Sequence, residues 1–148
     1  MQLEIIDNPL RINLVGYHGA LDGDSVAVVG KRLMDNMWRE VQDLGIKTKG
    51  KNHWVYLPDA AMFTGVELAE GFEGIGTLEE LEVSLERYLR HVHWGLYSEL
   101  PQIWPQLFAQ LKQRGETPTK PNLEIYGHWN DDPAKCETTI LIGLNRKD

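Results

Sequence analysis

Ser84-Leu85-Glu86-Arg87-Tyr88-Leu89-Arg90-His91-Val92-His93, running into Trp94-Gly95, decides the fold, because two patterns compete for it. Leu78, Leu81, Leu85, Tyr88, Leu89 and Val92 fall on one helical face, so periodicity alone asks for a helix. The order of segments along the chain asks for a strand. In the first half, Leu14-Val15-Gly16-Tyr17-His18-Gly19 leads into an amphipathic stretch ending at Gly45 and then into Trp54-Val55-Tyr56. In the second, Val92-His93-Trp94-Gly95 leads into an amphipathic stretch ending at Gly115 and then into Glu124-Ile125-Tyr126. The triplet starts nine positions after the terminal glycine in both copies. If Gly95 is the counterpart of Gly19, residues 84–93 are extended. The repeat takes precedence there, and residues 78–82 stay undecided between the two patterns.

Working outward, Arg11 to Tyr17 reads as a strand, and Leu21-Asp22-Gly23-Asp24-Ser25 supplies a turn and an N-cap. Val29, Leu33, Met37, Val41 and Leu44 then recur at helical spacing up to Gly45, the expected left-handed stop. A polar run, Lys47 to Asn52, crosses to a strand that begins near His53 and ends at Pro58-Asp59; Ala60 to Glu67 reads as another strand. Glu70-Gly71-Phe72-Glu73-Gly74-Ile75-Gly76 is an acidic, glycine-rich connection between the copies. Leu100, Ile103, Trp104, Leu107, Phe108 and Leu111 share a second helical face, with Pro101 in the first turn and Gly115 at the end. Pro118 and Pro121 bracket a loop, Leu123 to Trp129 is a strand, Asn130-Asp131-Asp132-Pro133 is a turn, and Thr138 to Leu144 is the last strand. The expectation is one α+β domain over residues 1–148. Its two pseudo-symmetric repeats span about 1–69 and 77–148.

A chain of 148 residues is long enough to bury one core. The formal charge of −7 and the absence of a Lys/Arg cluster argue against a nucleic-acid surface. No apolar run is long enough for a membrane span, and no signal-peptide pattern follows Met1. The single Cys136 forms no internal disulfide and suits a reducing compartment, so the expected location is cytoplasmic.

In the second copy, Tyr88-Leu89-Arg90-His91-Val92-His93-Trp94-Gly95-Leu96-Tyr97, the helix with Trp104, Pro121-Asn122-Leu123-Glu124-Ile125-Tyr126, Asp132-Pro133 and Glu137-Thr138-Thr139-Ile140-Leu141-Ile142 together resemble the gyrase-inhibitory-protein-like (GyrI-like) effector-binding domain. That family includes the drug-sensing modules of AraC- and MerR-type transcription regulators. The first copy departs from its usual tyrosine–glycine strand entry, with His53-Trp54 instead. The resemblance implies two strand–helix–strand–strand repeats forming an antiparallel sheet, with helices on one side and a ligand groove on the other. It also implies that Glu124 binds cationic, often aromatic ligands, and in some members takes part in hydrolysis.

Strand alternation puts Glu124, Tyr126 and His128 on one face, and Leu123, Ile125 and Gly127 on the other, where the apolar pair is expected to meet a helix. By the parity of the repeat, Trp54 and Tyr56 share the face of Glu124 and Tyr126, while Trp94 and Tyr97 lie at the strand-to-helix junction. The candidate ligand-binding set is therefore Glu124, Trp54, Tyr56, Trp94, Tyr97 and Tyr126. A desolvated cation gains from such a carboxylate and from ring faces. Trp38 and Trp104, within helices, read as core residues. His91 and His93 point the same way on a strand, but no third ligand stands at a recognisable spacing, so no metal or cofactor is expected. The glycines of Glu73-Gly74-Ile75-Gly76 lack the context of a phosphate loop, and Ser25, Ser84 and Ser98 lack that of a nucleophile elbow.

Three functions fit. The preferred one is a stand-alone binder or sensor of small cationic or amphipathic molecules, since the first strand begins too early to leave room for a helix-turn-helix region. The second is a hydrolase with Glu124 as general base and Tyr97 or Tyr88 as proton donor. The third is an inhibitory protein whose acidic surface contacts a DNA topoisomerase, with a topoisomerase or a separate regulator as partner.

Overall fold

The computed structural model describes residues 3–71 and 74–146; Phe72 and Glu73 of the expected acidic connection lie outside them. The elements run β1 (Glu4–Ile6), β2 (Leu10–Ala20), α1 (Val26–Leu44), β3 (Asn52–Leu57), β4 (Ala61–Val66), β5 (Glu79–Leu85), β6 (Tyr88–Trp94), α2 (Leu100–Gln113), β7 (Pro118–Tyr126) and β8 (Glu137–Leu144). A 3-10 turn, Tyr97–Glu99, precedes α2.

The contested stretch is extended. It forms the end of β5 and all of β6, bent between them at Glu86-Arg87. The undecided residues are settled as strand too, because β5 pairs antiparallel along β2 from Leu10 opposite Leu85 to Gly16 opposite Glu79. Strand pairing overrides the leucine periodicity here: Val83 and Leu85 are buried, while the even-numbered Glu80, Glu82 and Ser84 are exposed. That is period two.

All strands join one antiparallel sheet in the order β1-β6-β8-β7-β3-β4-β2-β5. About the central β7–β3 pair the order mirrors itself, β6-β8-β7 against β3-β4-β2. The outermost strands are exchanged: β1 pairs with β6, and β5 with β2. Two short connections, Glu86-Arg87 and Asp7-Asn8-Pro9, thus run from one side of the sheet to the other. The sheet must roll up for such connections to reach. Its inner face then buries Ile12, Leu14, Val55, Phe63, Val83, Leu85, Tyr88, Leu123 and Leu141 in one cluster, drawn from every strand except β1, whose Ile6 packs against it.

Both helices lie on the outer face. Leu100, Leu107 and Leu111 of α2 pack on Leu89, Ile140 and Ile142, while Val29, Leu33, Met37 and Val41 of α1 belong with Met62, Val15 and Val66. Ser25 caps α1 by accepting from Val28 N–H, a contact of a type that contributes about 1 kcal/mol. The two helices stop in the same way. Gly45 (φ 67°) donates to Gln42 O while Ile46 donates to Val41 O, and Gly115 (φ 71°) donates to Lys112 O while Glu116 donates to Leu111 O.

Two expectations need correction. Leu123 lies in the inner cluster, with Ile125 packed against it, so the apolar pair does not meet a helix. Alternation separated the two faces correctly, but the rolled sheet supplies the apolar partners for the inner one. The last strand before the turn also begins earlier and ends sooner than Leu123 to Trp129. β7 starts at Pro118 and absorbs Pro121 at a register irregularity between Thr119 and Asn122. His128 lies beyond the strand, with its ring against Gly50.

Candidate functional site

At the centre of the sheet, β3 and β7 place Trp54 directly opposite Glu124, Tyr56 opposite Asn122, and Asn52 opposite Tyr126. Trp54, Tyr56, Asn122, Glu124 and Tyr126 floor a cavity walled by both helices, so it is on the helix-bearing face, whereas the resemblance implied the opposite one. It encloses about 510 Å³. The walls are Val26 and Ala27 at the start of α1, Tyr97, and Leu100, Pro101, Trp104 and Phe108 of α2. Lys120 and Asn122 of β7 complete the lining. The volume lies within the range usual for small-molecule sites.

Glu124 is 5 % exposed and accepts three hydrogen bonds. Tyr56 and Tyr126 donate their hydroxyls to Oε1, the latter at 2.8 Å, and Trp104 Nε1 donates to Oε2 at 2.8 Å. Burial, with the carboxylate close by, pushes both phenols well above the ordinary tyrosine range, so they remain donors. The donors are themselves fixed by ring contacts. Tyr126 meets Trp54 edge-on at 5.5 Å and Tyr97 at 5.4 Å, Tyr56 meets Trp104 at 5.9 Å, and Trp104 stacks on Phe108 at 5.8 Å. Trp54 is seated against α1 at Gly30, where a side chain would collide with its six-membered ring.

Five of the six sequence candidates, Glu124, Trp54, Tyr56, Tyr97 and Tyr126, line this cavity. Trp94 does not. It sits at the end of β6, 58 % exposed and opposite Glu137, on the strand face that Tyr88 directs into the rolled sheet rather than toward the helices. Tyr97 is not among the donors to Glu124; its pKa is raised chiefly by burial and further by the nearby Cys136. Tyr88, the other proposed proton donor, is packed in the inner core.

Trp104 is the residue that sequence reading misplaced. Its ring packs with the core on α2, but its N–H serves Glu124. Helical spacing records only the ring. Leu100, Pro101 and Phe108 from the same helix, Val26 and Ala27 from α1, and Lys120 and Asn122 were likewise not anticipated. Only the register between strand and helix, invisible in a linear pattern, brings them together.

Arranged this way, the site holds a buried carboxylate, oriented by three donors, at the base of an aromatic and apolar chamber. Such a chamber favours a positively charged or strongly polarised group flanked by apolar surface.

No protein-family profile matches the sequence, and no curated protein sequence does. Solved structures do. The EcmrR C-terminal domain superposes with a TM-score of 0.72 at 16% identity, covering 99% of this chain and 98% of that one. SAV2435, in a structure bound to tetraphenylphosphonium, gives 0.69 at 16% identity over 98% and 94%. A hydrolase from Listeria innocua gives 0.61 at 12% identity over 97% and 92%. The chain shares its fold with these proteins, the EcmrR C-terminal domain among them.

Proposed function

We propose that the chain binds amphipathic aromatic cations in this cavity, with the Glu124 carboxylate as the charge anchor and Trp54, Tyr56, Tyr97, Trp104 and Tyr126 as the surrounding rings. The observation that carries the reading is the buried carboxylate held by three donors of its own chain inside an aromatic chamber. Those donors fix its position without supplying a full positive charge, and a ligand cation supplies it. The tetraphenylphosphonium held by SAV2435, a protein of the same fold, is a ligand of this chemistry.

The role is binding or sensing rather than turnover. Tyr97, the phenol proposed for proton donation, is not among the donors to Glu124, and three of the lone-pair positions of Glu124 are already used. A general base needs an accessible lone pair near its water.

The test is quenching of tryptophan fluorescence by cationic aromatic dyes. Glu124→Gln should weaken them about tenfold or more, the effect of losing a charge-assisted contact in a desolvated site, and should spare neutral analogues. Equal affinity of both proteins across a panel of cations removes Glu124 as the anchor.

A further inference from the structure

The cavity has a second charge. Of its lining residues only Glu124 and Lys120 are ionic, and Lys120 has no role in holding Glu124. Its Nζ lies 5.9 Å from the centroid of the Tyr56 ring, whose hydroxyl donates to Glu124, so one phenol separates the two poles. Among the described residues no carboxylate pairs with Lys120. Asn122, the uncharged amide of the wall, offers no charge to Lys120; with its amide nitrogen turned inward to the backbone it donates to Thr119 O at 2.9 Å and Pro121 O at 3.2 Å. Partial burial pulls the ammonium pKa below the ordinary lysine value, a sign that water compensates it incompletely.

Charge balance then discriminates between ligands. The lining is neutral overall, one carboxylate against one ammonium. A simple monocation satisfies Glu124 but leaves two positive charges around one negative, whereas a ligand that also carries an anionic group satisfies both poles and keeps the sum at zero. Resting on the reading of Glu124 as a cation anchor, we propose that Lys120 is a specificity-determining residue and that the preferred ligand is an aromatic zwitterion, with its cationic centre toward Glu124 and its carboxylate or other acidic group toward Lys120. Lys120 is exposed at the mouth, so its contribution is that of a partly screened pair, about three- to fivefold in affinity.

Rhodamine B, a zwitterion near neutral pH, and its ethyl ester, a cation of nearly the same shape, form the matched probes. Their binding is followed by fluorescence anisotropy at pH 7 and low salt. The wild-type protein should hold rhodamine B about three- to fivefold more tightly than the ester. Lys120→Gln should erase that preference, and Lys120→Glu should invert it. A wild type that prefers the ester, or a ratio unchanged in both variants, overturns the proposal. If Glu124→Gln still weakens both dyes in that case, the anchor reading stands alone. If Glu124→Gln changes neither dye, the anchor reading fails and this proposal fails with it.

Discussion

Gly30→Ala sets two opposing effects against each other at the joint between α1 and the cavity. In the interior of a helix, alanine is ordinarily better than glycine by about 0.5–1 kcal/mol. Gly30 is buried, and a Cβ there would lie 2.6 Å from Cη2 and 2.7 Å from Cε3 of Trp54, well inside contact distance. The ring has little room to retreat, because Tyr126 meets it at 5.5 Å and Tyr126 is tied to Glu124. Overpacking of this kind costs about 1–3 kcal/mol, against the smaller propensity gain, and the variant should be destabilised by up to about 2.5 kcal/mol. The strain falls on the cavity. Near-ultraviolet circular dichroism should change at tryptophan wavelengths, and cationic dyes should bind more weakly. Urea unfolding followed by far-ultraviolet circular dichroism gives the stability, and dye titration gives the affinity. A Gly30→Ala protein more stable than wild type, with an unchanged tryptophan signal and unchanged dye affinity, would refute the close seating of Trp54 on α1.

Arg87→Ala should destabilise by about 3 kcal/mol or more, measured by urea unfolding, because it strips the bidentate guanidinium, at 2.7 and 2.6 Å, from a Glu116 side chain only 3 % exposed. That pair joins the β5–β6 bend to the end of α2. A loss below 1 kcal/mol would show that the pair does not hold them together. The phenols give a pH prediction: Tyr56 and Tyr126 are raised in the folded state, so the stability they contribute is complete below the unfolded phenol value near pH 10 and is lost as pH rises above it. Phenolate absorbance at 295 nm for these two tyrosines should therefore appear only with unfolding, and their ionisation near pH 10 in the intact fold would contradict the buried network. His53 acts at the other end. Burial lowers its pKa, so its contribution is complete above the unfolded value near pH 6.5 and declines as pH falls below it. Thermal melts of wild type and His53→Gln should converge between neutral and mildly acidic pH, and a parallel offset throughout would exclude a titrating role.

Much of the frame was legible because it depends on spacing. The equal distance from Gly45 to Trp54 and from Gly115 to Glu124 reflects two helices that stop with the same glycine motif before adjacent strands, and those strands set Trp54 and Glu124 opposite each other. The same logic outweighed the leucine pattern before Gly95, since cross-strand hydrogen bonds are long-range and helical periodicity is only a local pattern. Period-two parity sorted Trp54, Tyr56, Glu124 and Tyr126 onto one face, but it carries no information on which face a helix covers. For that reason Leu123 and Ile125 were assigned to a helix when their partners are strands of the rolled sheet. Trp94 was included for its place in the chain near the strand-to-helix junction, although its parity turns it from the cavity. Trp104 was hidden for a different reason: an indole on the apolar face of a helix reads as core, and only the tertiary approach of α2 to β7 shows its N–H meeting a carboxylate.

Tetraphenylphosphonium and tetraphenylborate share shape and apolar surface but differ in the sign of their charge, so a calorimetric comparison of the two isolates the anchor from the rings. The wild-type protein should bind the phosphonium at least tenfold more tightly than the borate, and Glu124→Gln should remove most of that difference while both ions keep the common contribution of apolar burial. Equal affinity of the wild-type protein for the two ions, or a charge preference that survives in Glu124→Gln, would contradict the assignment of Glu124 as the cation anchor.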